Sequence, residues 1–236
     1  MKQAGRGFLI GLAGALATGL PLVAHAAVPK SAVPKLAAPK QIEVCASCHG
    51  ENEMGSRDGG YPAIAGLPAA YIRAQLKAFR YGARDNVMMS AVASGVDAAQ
   101  RRALAAYLAA MSVPISKPVS APASGAAAHP PNPVGAALAI HGAPGRSTAG
   151  HSVVGHSGSE IPACASCHGA AGLGQGAFPR LAGQPADYLE AQLRAWQTQK
   201  RPAGNPPVMP AIARAMSKSQ IKAVSAYYGA LPANPG

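Results

Sequence analysis

Six residues occur twice in this chain without a change. Cys45-Ala46-Ser47-Cys48-His49-Gly50 returns as Cys164-Ala165-Ser166-Cys167-His168-Gly169, 119 positions later. The likeness runs past the motif. Tyr61-Pro62-Ala63-Ile64-Ala65-Gly66 answers Phe178-Pro179-Arg180-Leu181-Ala182-Gly183, and Tyr71 to Phe79 answers Tyr188 to Trp196. Met89 to Ala93 answers Met209 to Ala213, and Gln100 to Tyr107 answers Gln220 to Tyr227. Self-similarity at a fixed offset means two copies of one structural unit. Whatever this chain folds into, it must be built twice.

The periodicity inside each copy is helical. Tyr71, Ile72, Leu76 and Phe79 share one helical face, as do Tyr188, Leu189, Leu193 and Trp196. Asp97 with Gln100, and Ser217 with Gln220, have the spacing of a capping box at a helix start. No run alternates with strand period, so the expected fold is all-α, in two tandem small helical domains. With 5% aromatic residues, each domain is short of large side chains for a core, and a cofactor commonly completes such an interior.

The ends and joints read by composition. Lys2 and Arg6 precede an apolar run from Phe8 to Ala24, and Ala24-His25-Ala26 fits the small-x-small cleavage rule. Residues 1–26 are therefore expected to be a signal peptide cut after Ala26, with an uncleaved anchor as the alternative. No cysteine near the cut suggests a lipoprotein. Residues 27–40 form a flexible arm and 41–112 the first domain. Residues 113–133 are a Pro/Ala-rich linker, and 134–236 are the second domain with an insertion over about 142–159. Export places the protein in the periplasm, where four cysteines would ordinarily suggest disulfides.

The motif argues otherwise. C-x-x-C-H is the attachment sequence for c-type haem. Two thiols two residues apart lie on one side of a helical turn, placed to form thioethers with one porphyrin edge, and the next histidine lies under the iron. Cys45, Cys48, Cys164 and Cys167 are expected to hold two covalent haem c groups, with His49 and His168 on iron. A redox dithiol would need a βαβ context, and a four-cysteine zinc site would leave both histidines unexplained.

A sixth iron ligand must come from the far face, and a methionine thioether there raises the reduction potential. Met209, bracketed by Pro207 and Pro210, is expected in a loop before the last helix. In the first copy Met88 and Met89 compete, and the ungapped register to Gln100 favours Met89. Met111 and Met216 read as packing residues. Pro62 and Pro179 follow the haem histidines by 13 and 11 residues; they either present a carbonyl to the far ring nitrogen or are plain turn prolines. Arg180, Tyr71, Tyr188, Gln192 and Trp196 either line haem edges or pack the core. His129, His141, His151 and His156 read as solvated.

These residues resemble the di-haem cytochrome c4 class: two C-x-x-C-H motifs, F/Y-P-x-x-A-G, a Tyr-x-x-x-Gln-Leu helix, a Met loop and a terminal Ala-Tyr-Tyr helix. The likeness spans roughly 41–111 and 134–231, and Phe178 to Pro185 is its most specific stretch. It implies His/Met ligation, carried onto His49 with Met89 and His168 with Met209, and a periplasmic electron carrier serving a terminal oxidase. The chain departs from the class in its long proline-rich linker, which counts against a tight contact between the two haems. It departs again in having Gly66-Leu67-Pro68 where the second copy has Gly183-Gln184-Pro185.

The formal charge of +12 falls to +10 when 1–26 are removed, because Lys2 and Arg6 leave with no acid. A positive carrier is steered to acidic faces on redox partners: a terminal oxidase, a quinol–cytochrome c reductase or a dehydrogenase. Peripheral membrane association stays open. Scattered basic residues on an exported chain exclude nucleic acid. An electron carrier without substrate chemistry is the first reading. A cytochrome subunit of a membrane dehydrogenase complex comes second. A di-haem peroxidase comes last, because it needs an exchangeable sixth position.

Overall fold

The first helix, α1 (Ile42–His49), carries the Cys-x-x-Cys-His turn and stops at Gly50, whose φ of +82° lies where a side chain is unwelcome. Pro68 then sets the entry to α2 (Ala69–Arg80), which buries Ile72 and Phe79. Two further helices, α3 (Val87–Ser94) and α4 (Ala98–Ala110), pack on α2. The second repeat opens with α5 (Pro133–His141) and repeats the motif on a short α6 (Ala165–His168). It continues with α7 (Ala186–Gln197), α8 (Met209–Ala215) and α9 (Lys218–Ala230). This computed structural model describes residues 37–56, 60–115, 132–144, 160–204 and 206–236. The expected signal peptide over 1–26, most of the expected arm, residues 116–131 of the expected linker and residues 145–159 of the expected insertion lie outside the described residues.

Among the described residues the only β structure is three isolated bridges, so the fold is helical, as expected. Both capping boxes form. Asp97 and Ser217 each accept the N–H three residues on, while Gln100 and Gln220 reach back to the cap N–H. Each such cap contributes about 1 kcal/mol to its helix. One expectation shifts by a turn: Met209 does not sit in a loop but opens α8, with Pro210 in the first turn, where its missing N–H costs nothing.

Each repeat has its own core. In the first, Leu67, Ile72, Ala105 and Leu108 are buried, with Ile42, Ile64, Leu76 and Met111 packed against them. In the second, Leu138, Ile161, Met216, Ile221, Val224, Tyr227 and Tyr228 form a larger cluster. It is larger because α5 lies across α9. Gly135 makes this crossing possible: a Cβ there would collide with the Ala223 carbonyl.

Both repeats belong to one compact unit spanning 36–236, joined by partly buried hydrogen bonds. Arg84 of the first repeat donates to Tyr188 Oη at 3.1 Å and Gln192 Oε1 at 2.6 Å. Arg201 of the second donates to Tyr71 Oη at 2.9 Å and Gln75 Oε1 at 3.4 Å. Closure entropy grows only with the logarithm of linker length, so a long linker opposes this docking weakly.

Candidate functional site

The two Cys-x-x-Cys-His turns are built alike. In each, the serine between the cysteines ties itself to the preceding backbone: Ser47 Oγ donates to Val44 O at 2.8 Å and Ser166 Oγ to Ala163 O at 2.6 Å. The helical turn keeps both sulfurs of a pair on one side, and all four thiols are free and half-buried. Burial, with Glu53 adding to it, pushes the Cys45 thiol up to about 11; burial does the same to Cys164. Among the described residues, no three of His, Cys, Asp and Glu converge as a metal cluster, so the four cysteines form no joint zinc site.

His49 and His168 are both buried, and each gives its Nδ1 to a proline carbonyl: Pro62 O at 2.7 Å and Pro179 O at 2.8 Å. Of the two roles open to those prolines, the carbonyl acceptor is the one found. Burial lowers both histidine pKa values and the carbonyl hydrogen bond opposes it, so the rings are neutral at pH 7. A neutral imidazole whose Nδ1–H is engaged leaves the Nε2 lone pair free for a metal. Tyr61 and Phe178 hold the rings edge-on, at 6.3 Å and 5.9 Å between centroids.

The methionines separate by environment. Met89 is half-buried on α3, with its N–H accepted by the Asn86 side chain at 2.8 Å. Met88 is 61% exposed. Met209 is half-buried at the start of α8. Met216 is in the core, and Met111 packs against the core of the first repeat. His141 is exposed at the end of α5; His129, His151 and His156 lie outside the described residues.

Tyr71, Tyr188 and Gln192 belong to the contact between repeats. Trp196 donates Nε1–H to Pro202 O at 2.9 Å and carries Arg201 over its ring at 3.9 Å. Arg84 stands over Phe79 in the same way at 4.5 Å. Sequence reading missed Arg84, Arg201 and Gln75. One signal pointed to them: Tyr71, Gln75, Phe79 and Arg84 recur 117 positions later as Tyr188, Gln192, Trp196 and Arg201. Both arginines are buried, yet their hydrogen-bonding partners are neutral side chains. Buried cations without anions are costly, and a dianionic porphyrin carboxylate pair fits them. Free paired thiols, neutral histidines with one nitrogen committed and uncompensated buried cations together suit a covalent haem in each repeat.

Comparison with known proteins agrees. The sequence model of the cytochrome c family matches residues 38–112 and again 157–231. A protein of Stutzerimonas stutzeri (strain A1501), named thiosulfate dehydrogenase electron acceptor, is 40% identical over 218 residues, 92% of each chain. The solved cytochrome c4 of Acidithiobacillus ferrooxidans superposes with a TM-score of 0.61 at 31% identity, covering 80% of this chain and 99% of that one. The solved thiosulfate dehydrogenase of Marichromatium purpuratum gives 0.61 at 34% identity over 80% of this chain. The match takes in only 36% of that longer chain.

Proposed function

This chain belongs to the cytochrome c family, as an electron carrier of the di-haem cytochrome c4 class with two covalent haem c groups, and we propose that it takes its electrons from a thiosulfate dehydrogenase. The observation that carries the partner is end-to-end likeness to a protein named for accepting electrons from that enzyme. A dehydrogenase removes electrons in pairs, and two irons that each cycle between ferric and ferrous states store one pair.

In this reading Cys45 and Cys48 fix one porphyrin by thioethers, and Cys164 and Cys167 fix the other. His49 and His168 bind iron through Nε2, with Nδ1–H committed to Pro62 and Pro179. Met89 and Met209 close the sixth positions. Filled coordination leaves no place for substrate, which favours a carrier over a peroxidase. Residues 1–26 direct the chain to the periplasm and are removed after Ala26. The positive mature chain docks on acidic faces of its partners and passes electrons on to a respiratory acceptor such as a terminal oxidase. Residence as a subunit of a dehydrogenase complex is the second arrangement, and the similarity to part of a longer thiosulfate dehydrogenase chain favours it over a peroxidase.

The test is rapid mixing of the oxidised holo-protein with a thiosulfate dehydrogenase and thiosulfate, following the reduced haem bands. Reduction of both haems within the enzyme's turnover, slowing as salt rises, is expected. Reduction no faster than by thiosulfate alone would sink the partner assignment, and a flat salt profile would remove steering by charge.

A further inference from the structure

The backbone strips that support the two histidines lie against each other, and the side chains joining them all come from the second repeat. Ala63 follows Pro62, whose carbonyl accepts from His49. The Gln184 side chain makes both bonds to that next residue: its Oε1 accepts Ala63 N–H at 2.9 Å and its Nε2 donates to Ala63 O at 2.8 Å. Arg180 follows Pro179, whose carbonyl accepts from His168. Its guanidinium donates to Ala182 O of its own repeat at 2.7 Å and to Ala65 O of the other at 3.2 Å. Ala65 and Ala182 are equivalent positions, so one planar fork ties corresponding points of the two copies. Arg180, Gln184, Ala63 and Ala65 are all buried.

The first repeat cannot reciprocate. It has Ala63 where the second has Arg180, and Leu67 where the second has Gln184. From this one-sided clasp we infer that Gln184 and Arg180 are positioning residues for the ligand histidine of the opposite repeat. They fix the strip Pro62–Ala65, and through the Pro62 carbonyl they set the hydrogen bond that orients His49 and tunes its basicity toward iron. His168 draws its support from its own repeat. Docking of the second repeat therefore governs the first haem site, and the reverse influence is weak. This rests on the reading of His49 and His168 as iron ligands.

The experiment uses the full holo-protein, fully reduced and diamagnetic. NMR follows solvent exchange of the two histidine Nδ1–H protons, and spectroelectrochemistry follows both midpoint potentials. Gln184→Leu installs the residue that the first repeat already carries. It is expected to speed exchange at His49 about tenfold or more, as loss of a buried hydrogen-bond pair implies, and to raise the potential of the first haem alone. Arg180→Lys, which keeps the charge but cannot span two carbonyls, is expected to change the same proton in the same direction. Tyr71→Phe cuts a contact between repeats away from the strips and is expected to leave His49 unchanged. Equal acceleration at both histidines, or by Tyr71→Phe, would mean general loosening and overturn the proposal. So would a folded Gln184→Leu with an unchanged His49 proton. If the wild-type His49 proton lacks a porphyrin ring-current shift, the ligand reading itself fails and takes the clasp's role with it.

Discussion

The two repeats share a scaffold and differ in what completes it. In the second, α5 lies across α9 and closes the core, so Ala223 and Tyr227 are buried. In the first, among the described residues, no helix takes that place on α4, and the equivalent Ala103 is exposed with Tyr107 half-covered. In the second, Gly172 makes a tight turn under the Tyr228 ring, where a Cβ would strike the ring. In the first, the same turn is made by Glu53 in the left-handed region, at φ +54°, with its carboxyl fully buried. The same backbone duty is met in both: Glu53 O accepts from Ile64 and Ala65, and Gly172 O from Leu181 and Ala182. The second repeat supports the backbone behind its own histidine, while the first takes from its sibling the side chains that hold its Pro62–Ala65 strip, and it carries a strained, buried acid. Duplication preserved the haem-gripping backbone and let the packing around it diverge.

The comparison breaks hardest at Met89 and Met209, the proposed sixth ligands. Met89→Ala and Met209→Ala should each lower the potential of one haem and open it to carbon monoxide or azide. Redox titration with the methionine–iron charge-transfer band as the signal checks this, along with a Met88→Ala control that should change nothing. Unchanged potentials in both ligand variants would remove His/Met coordination. A response to Met88→Ala in place of Met89→Ala would move the first ligand by one residue and end the equivalence of the two methionine positions.

A smaller effect separates the helix crossings. Ala223→Leu forces a side chain into the Gly135 crossing of α5 on α9 and should destabilise the second repeat by about 1–3 kcal/mol. Ala103→Leu, its counterpart on an open face, should stay within about 0.5 kcal/mol. Denaturant unfolding of the two holo-variants measures both. Equal losses would mean that α4 is covered after all.

Much of this was legible in the residues. The motif located the thiols and histidines, and the capping boxes located the starts of α4 and α9. What escaped was the contact between copies. Arg84 and Arg201 look like loop cations bound for water, because periodicity reports one helix's own face and says nothing of what a second domain brings. Gln184 looked like a family signature, although its amide serves the other repeat's backbone. Glu53, inside Glu51-Asn52-Glu53-Met54-Gly55, has every mark of a solvated turn; only the fold shows that the turn is turned inward.

That acid supplies the subtlest test. Burial raises the Glu53 carboxyl to about 7 from the ordinary 4.5, and neither oxygen has a hydrogen-bond partner. Its charge acts on Cys45, whereas the equivalent Cys164 has the Tyr228 hydroxyl beside it, a group that burial keeps protonated. A native pKa above the unfolded one means that the folded state binds the proton more tightly. The stabilising contribution is then complete below about pH 4.5 and is lost as pH rises through about 7. Glu53→Gln should therefore stabilise the protein at pH 8 by about 3 kcal/mol and hardly at all at pH 4. Denaturation at the two pH values checks the sign. The same proton couples to the electron: a carboxylate near the first haem favours ferric iron, so that haem's potential should fall as pH rises through about 7, while the second stays nearly level. Glu53→Gln should flatten the first profile onto the second. If both haems of the unmodified protein follow pH alike, or the slope survives the substitution, the buried acid is electrically silent and the two repeats differ in packing alone.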